Sequence, residues 1–218
     1  MKKLLFAYLT MPQRISVVII VLFHAVGLAG FMVPYIDAIF LNIVPWHLLL
    51  MAAVIIYNQE RVDGKFLLFA LLIFAIGFMA EFTGVHTGLL FGNYVYGETL
   101  GVKLFNIPLI IGVNWFLLIY STGVLIQRQR IRNKLLGIIT GALILVMLDV
   151  LIEPIATQFD YWHWIGGSIP VKNYVCWFML GALMLFIFDR FKFKTQSMVA
   201  PVLLIMQFIF FMVLGFVN

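Results

Sequence analysis

"FLLFALLIFAIGFMAEFTGVHTGLLFGNYVY", residues 66–96, decides how this chain is read. Its first fifteen residues are an unbroken apolar run. A run that long should leave a membrane through a polar loop. Here a single glutamate, Glu81, ends it, and a loop of glycines and aromatics with almost no charge follows. The composition of the whole chain agrees with a membrane setting: 64% of its 218 residues are hydrophobic, 11% are charged, and the mean hydropathy is +1.11. Soluble domains average about 45–50% apolar and about 25% charged, so the sequence predicts an all-α integral membrane protein.

A spanning helix needs about 20 apolar residues. Seven stretches qualify, at about 15–34, 38–57, 66–82, 105–126, 134–153, 172–189 and 199–217, and they are read as one polytopic domain over 1–218. The N-terminal stretch has the look of a signal peptide, but Arg14 interrupts it and the next apolar run is too long for an h-region. It is read as a short cytoplasmic segment leading into the first span. Placing alternate loops on opposite sides puts Lys2, Lys3, Arg14, Arg61, Lys65, Arg128, Arg130, Arg132, Lys134, Arg190, Lys192 and Lys194 on one side, and only Lys103 and Lys172 on the other. By the positive-inside rule the crowded side is cytoplasmic. That predicts a multi-pass protein of the cell (plasma or inner) membrane, N-terminus in the cytoplasm and C-terminus outside. The net charge of +5 therefore points to topology and not to nucleic acid. The lone Cys176 excludes an internal disulfide and a cysteine-based zinc site, and is read as a small buried side chain.

The two long loops, 83–104 and 154–171, fall on the outer side and are expected to fold back over the membrane face. They precede two similar segments, "IPLIIGVNW" at 107–115 and "IPVKNYVCW" at 169–177. Each has Ile-Pro, an Asn, and a Trp seven residues after the proline. Spans 3–4 and 5–6 are thus candidate repeats around one site.

Three carboxyls sit in or at the ends of spans: Glu81, Asp149 and Glu153. At 1.5 Å per residue, Glu81, Asp149 and Asn173 lie ~22, ~21 and ~22 Å from the cytoplasmic ends of their spans, a common depth. Glu153 is one turn above Asp149, and Pro154 is expected to end span 5 there. Buried acids are costly, about 2.5–3.5 kcal/mol for Asp, and usually mark a functional path. The plainer reading is that they cap helices or bond loop amides. Desolvated, paired carboxyls can hold a proton at neutral pH, which a general acid requires. His24 and His47, both ~13 Å deep, are placed to meet as interhelical polar residues. A metal set could be drawn from His86, His163, Glu81 and Asp149, but no ligand spacing supports it and none is expected.

Phe91, Tyr94, Tyr96, Trp115, Trp162, Trp164, Tyr174 and Trp177 crowd the outer side. An interfacial belt explains some of them, yet they cluster in the loops flanking the acids, and Trp115 lies below any belt. They are read, with Asn114 and Asn173, as the wall of a long apolar ligand's site. That site is expected as a cavity between spans 3 to 6, open laterally to the bilayer.

These blocks resemble the carotenoid biosynthesis membrane proteins of the CruF type, the carotenoid hydratases of the bacterioruberin and γ-carotene kind. The first matches E-x-x-G-x-x-x-G-x-x-F-G-x-Y-x-Y through Glu81, Gly84, Gly88, Phe91, Gly92, Tyr94 and Tyr96. The second matches D-x-x-x-[acid]-P, W-x-W and P-x-x-N-[aromatic]-x-x-W through Asp149, Glu153, Pro154, Trp162, Trp164, Pro170, Asn173, Tyr174 and Trp177. Together they cover roughly a third of the chain. The stretch "GGSIP", 166–170, is leaner in aromatics than the family pattern, which bears on substrate choice.

The resemblance implies acid-catalysed addition of water to the terminal C=C of an acyclic carotenoid end group, giving a tertiary alcohol. Glu81, Asp149 and Glu153 are the catalytic candidates, and aromatic faces would stabilise the tertiary cation. No cofactor is required. The expected partners are a carotenoid, membrane lipid and other carotenoid enzymes. Rival readings are an end-group cyclase, which excludes water after the same protonation, and a proton-coupled transporter or assembly factor. A seven-helix retinal photoreceptor is disfavoured because the last span, "APVLLIMQFIFFMVLGFVN", has no lysine.

Overall fold

The computed structural model describes residues 9–33, 36–194 and 196–217. Lys2 and Lys3, assigned above to the cytoplasmic side, lie outside the described residues. Among the described residues, seven helices are long and apolar enough to cross a membrane: α1 (Met11–Met32), α2 (Asp37–Tyr57), α3 (Gly64–Thr87), α4 (Ile110–Arg128), α5 (Lys134–Gln158), α6 (Val171–Phe191) and α7 (Val199–Val217). The described residues between them include the short strands β1 (Tyr94–Tyr96), β2 (Lys103–Leu104), β3 (Ile107–Pro108) and β4 (Trp162–Trp164).

Helix ends follow local chemistry. Thr10 and Gln13 form a capping box at α1. The Asp63 carboxylate accepts from the Phe66 amide at 3.0 Å to start α3, and Gly88, at φ 63°, ends it in the left-handed region that favours glycine. Asn133 caps α5 through the Leu136 amide at 3.2 Å. The helix α4 packs on α2, α3, α5, α6 and α7, and every residue from Trp115 to Val124 is buried. A helix apolar on all sides belongs at the centre of a bundle. The other helices keep an apolar face outward, as lipid-facing helices do.

Several boundaries differ from those read in the sequence; α1 begins at Met11 and not near 15, so Arg14 stands in its first turn. Helix α3 runs on to Thr87, so His86 stands in its last turn and not in a loop. Helix α5 passes through Pro154 to Gln158. Pro154 is exposed while Glu153, Ile155 and Ala156 are buried, so the missing amide falls on the outer face and the inward packing carries the helix past it. Helix α4 begins at Ile110 and not near 105. Residues before it form the β2–β3 hairpin, whose turn residues Phe105 and Asn106 both have positive φ, 52° and 65°, the geometry of a type I′ turn.

The two long loops meet. β1 pairs antiparallel with β4 in the register Tyr94↔Trp164, Val95↔His163, Tyr96↔Trp162. This ribbon closes one end of the bundle. It continues through Gly97 N–H to the Tyr161 carbonyl at 3.0 Å and Ile165 N–H to the Asn93 carbonyl at 2.9 Å. A Cβ on Gly97 would lie 2.2 Å from the Asp160 carbonyl oxygen, so the close approach requires glycine. Lys103 and Lys172 bond carbonyls at this end, of Tyr96 and Gly88. The opposite end carries Arg128 on the Gln196 carbonyl at 2.6 Å, Lys134 on Asp189 and Lys194 on Glu60, both at 3.0 Å.

Asp160 ties the ribbon together by accepting from the Glu98 amide at 2.8 Å and from His163 Nε2 at 2.6 Å. The His163 bond first, and the Glu98 amide second, hold its carboxyl below the usual range. A depressed carboxyl stabilises fully above its unfolded value, about 3.9, and loses that contribution as pH falls through the lower folded value. Amide exchange at Gly97 and Glu98, relative to the intrinsic rate, is therefore expected to accelerate below about pH 4. Asp160→Ala should show fast exchange already at neutral pH. Equal protection of these amides in Asp160→Ala and wild type at neutral pH would remove Asp160 from the ribbon's support.

Candidate active site

Glu81 and Glu153 form two matched clamps beneath the ribbon. Glu81 Oε2 accepts from Tyr94 Oη at 2.5 Å and Tyr96 Oη at 2.7 Å, and Oε1 accepts from Trp115 Nε1 at 3.1 Å. Glu153 Oε2 accepts from Trp162 Nε1 at 3.2 Å and Trp164 Nε1 at 2.7 Å, and Oε1 accepts from Asn173 Nδ2 at 3.0 Å. Each acid thus receives two donors from alternate positions of the strand that follows it and one from the next helix. Alternation is what puts both donors on one face: side chains two apart on a strand point the same way. The ribbon register then brings the clamps together, with Tyr94 and Trp164 rings 5.3 Å apart and Tyr96 and Trp162 rings 6.2 Å apart. The 3–4 and 5–6 pairs meet beneath the ribbon. Their tryptophans, Trp115 and Trp177, lie 4.5 Å apart at 31°.

Glu81 is accessible to its donors because of two glycines. Gly77, Glu81 and Gly84 stand at i, i+4 and i+7, one face of α3. A Cβ on Gly77 would lie 2.5 Å from Trp115 Cδ1, and one on Gly84 2.8 Å from Tyr94 Oη. Gly77 was not singled out in the sequence, although that spacing marks it. Gly77→Ala is expected to displace the Trp115 ring and to cost about 1–3 kcal/mol as overpacking. Thermal unfolding in detergent and tryptophan emission measure both. An unchanged melting point together with unchanged emission would contradict the contact.

Burial first, then the neighbouring Glu81 carboxyl, holds the Tyr94 and Tyr96 phenols well above their ordinary range. Both therefore remain protonated donors.

Asp149 is fully buried, and its Oδ2 accepts from Asn173 Nδ2 at 2.7 Å. The same amide nitrogen serves Glu153, so Asn173 sits between the two acids. Asp149 Oδ1 has no partner among the described residues. The clamps open onto a cavity of about 380 Å³, and Asp149 lies behind its wall. Of the residues read from the sequence as lining, Phe91, Tyr94, Tyr96, Asn114, Trp115, Trp162, Trp164, Asn173 and Trp177 line it with Glu81 and Glu153. Tyr174 does not; it is half-buried on α6.

The cavity is not confined to helices 3 to 6. Phe31, Phe40, Phe210 and Phe211 carry it between α1, α2 and α7. Helix order in a bundle is not written in hydropathy, and α7 returns to pack on α1 and α4. His24 and His47 do meet, rings 4.8 Å apart, and both line the cavity with Gln207. His86 stacks on Phe82 at 4.3 Å and His163 bonds Asp160, so neither reaches the acids.

A profile of the carotenoid biosynthesis protein family matches residues 42–218. The chain is 26% identical over 129 residues to the bisanhydrobacterioruberin hydratase of Haloarcula japonica. That stretch covers 56% of this chain and 43% of the relative, so the chain spans less than half of that protein's length. No solved structure matches. With four-fifths of its length inside the family profile and both acid-bearing blocks within that range, the chain belongs to the carotenoid biosynthesis protein family.

Proposed function

We propose that this protein is a carotenoid hydratase, adding water to the terminal C=C of an acyclic carotenoid end group. The observation that carries the reading is the pair of buried carboxyls, Glu81 and Glu153, facing one aromatic-walled cavity. The relative from Haloarcula japonica, named a hydratase, supports it. A cavity of 380 Å³ lies near the lower end of the range of about 300–1,000 Å³ found for small-molecule sites. That suits an end group and not a whole carotenoid, whose remainder would lie in the bilayer. The segregation of cations supports a cytoplasmic N-terminus, an outer site and residence in the cell membrane.

The donors divide the acids' labour. Tyrosine hydroxyls both donate and accept, so Glu81 can carry a proton with one hydroxyl turned to receive it. Indole N–H groups only donate, and Asn173 Nδ2 donates to Oε1, so both Glu153 oxygens face donors and the group is assigned the carboxylate role. Glu81 transfers its proton to the less substituted alkene carbon. The C=C π pair forms the new C–H bond and leaves a tertiary cation. The Glu153 carboxylate and the Trp115, Trp164 and Trp177 rings stabilise that cation. Water adds its lone pair to the cation, and the oxonium returns a proton to the Glu81 carboxylate. The sum is one water added. Asp149 is a positioning residue, acting through Asn173 on Glu153.

Expression in a lycopene-producing host, with mass analysis of the pigments, tests this. The expected product is heavier by one water. Cyclic ends of unchanged mass would establish a cyclase instead, and no pigment change with solute-driven proton flux in liposomes would establish a transporter.

A further inference from the structure

His24, His47 and Gln207 form a second polar cluster in the cavity wall, on α1, α2 and α7, that the acid chemistry does not use. His24 is buried, and its Nδ1–H donates to the Ile20 carbonyl at 2.8 Å. A carbonyl only accepts, so in the neutral ring Nε2 is left as an acceptor. His47 lies edge-on to His24 at 4.8 Å and makes no hydrogen bond to the described residues. Gln207 is 7% exposed, and its Oε1 is buried with no partner among the described residues. Phe210, one turn on from Gln207, packs edge-on against His24 at 6.1 Å. Among such apolar neighbours an unpaired acceptor is costly.

The cluster shares a level with the acids. The Phe31 and Phe159 rings meet at 4.8 Å near the ribbon end of α1 and α5. Below that contact His24 lies about 10 Å down α1 and Glu153 about 9 Å down α5, by helix rise. The same cavity is lined by the carboxyls of α3 and α5 and by this cluster of α1, α2 and α7.

We propose that His24, His47 and Gln207 form a binding station for one neutral hydroxyl oxygen. The ligand's O–H donates to Gln207 Oε1 or His24 Nε2, and its oxygen accepts from the His47 N–H. No charged group stands in the cluster, so an anion or ammonium is not the ligand. The hydroxyl comes from an ordered water or from a hydroxyl carried by an isoprenoid chain. The inference rests on the hydratase reading only in taking the cavity's occupant to be isoprenoid.

The test needs no turnover. All five tryptophans line the cavity, so lycopene bound to the full chain in nanodiscs should quench their emission. Competitors are geranylgeraniol and its methyl ether, which cannot donate a hydrogen bond. If the station takes a chain hydroxyl, the alcohol competes about tenfold better than the ether. Gln207→Met lowers that preference while binding the ether unchanged; His47→Phe weakens alcohol and ether alike, because either oxygen can accept from the His47 N–H, and His47→Gln keeps part of that binding. If it takes water, alcohol and ether compete equally, and a high-resolution cryo-EM map shows an oxygen about 2.7–3.2 Å from at least two of the three side chains. Equal competition with no such oxygen overturns the station, as does an alcohol preference unchanged in Gln207→Met together with alcohol and ether binding unchanged in His47→Phe. Loss of hydration with the station's behaviour intact would count against the hydratase reading alone.

Discussion

Glu81→Gln is expected to lower water addition by about 10²–10⁴-fold, the range general acids contribute. Glutamine keeps the length of the side chain, and its oxygen can still accept from the tyrosine hydroxyls that bond Glu81 at 2.5 and 2.7 Å. What it lacks is a transferable proton. Pigment analysis in the lycopene-producing host gives the rate, and the thermal midpoint of the purified variant shows whether the bundle is intact. Tyr94→Phe and Tyr96→Phe should each lower the rate less, since either hydroxyl alone can donate to the Glu81 carboxylate when it is charged. Hydration by Glu81→Gln within threefold of wild type, with normal folding, would take Glu81 out of the mechanism.

Glu153→Gln is the second large loss, about 10²–10³-fold, the range of a single electrostatic contact to developing charge. Here the substitution removes the negative charge that faces the cation. It also forces the new amide to present its N–H₂ either to Asn173 Nδ2 or to the two indoles, donor against donor. The signature differs from that of Glu81→Gln. A cation with no counter-charge loses a neighbouring proton more readily than it waits for water, so residual turnover should shift toward an isomerised alkene. Wild-type rate and an unchanged ratio of alcohol to isomer would sink the counter-ion role. Asn173→Leu should reproduce part of the loss. It removes the donor shared between Asp149 and Glu153, at 2.7 and 3.0 Å, and leaves two buried carboxyls to find other partners.

The bundle was legible in the sequence because spanning helices must satisfy their backbone internally and expose apolar side chains to lipid. Seven runs of the right length follow directly, and the last span, 199–217, matches α7 residue for residue. The acids were legible because a carboxyl in such a run is expensive enough to demand a reason. Boundaries were less so. Pro154 ends helices in water, but here its exposed ring costs only an outward-facing bond while Ile155 and Ala156 stay packed. The start of α4 was hidden because "LFNIP" is as apolar as a helix, and only the paired positive φ values of Phe105 and Asn106 make it a hairpin.

Residue type, spacing and hydropathy by themselves determined seven helices, three carboxyls in or at the ends of spans, two of them level with Asn173, and two aromatic loops beside them. Those properties are local to each segment. Tertiary structure alone decided the partnerships: that β1 and β4 pair, that phenols clamp Glu81 while indoles clamp Glu153, that Asp149 stands behind Asn173 instead of at the cavity, and that α1, α2 and α7 complete the wall with His24, His47 and Gln207. The reason is physical. Hydropathy states how much of a helix must avoid water, and lipid satisfies that demand on any side, so which helices become neighbours is set by the fit of particular side chains, such as Trp115 against Gly77.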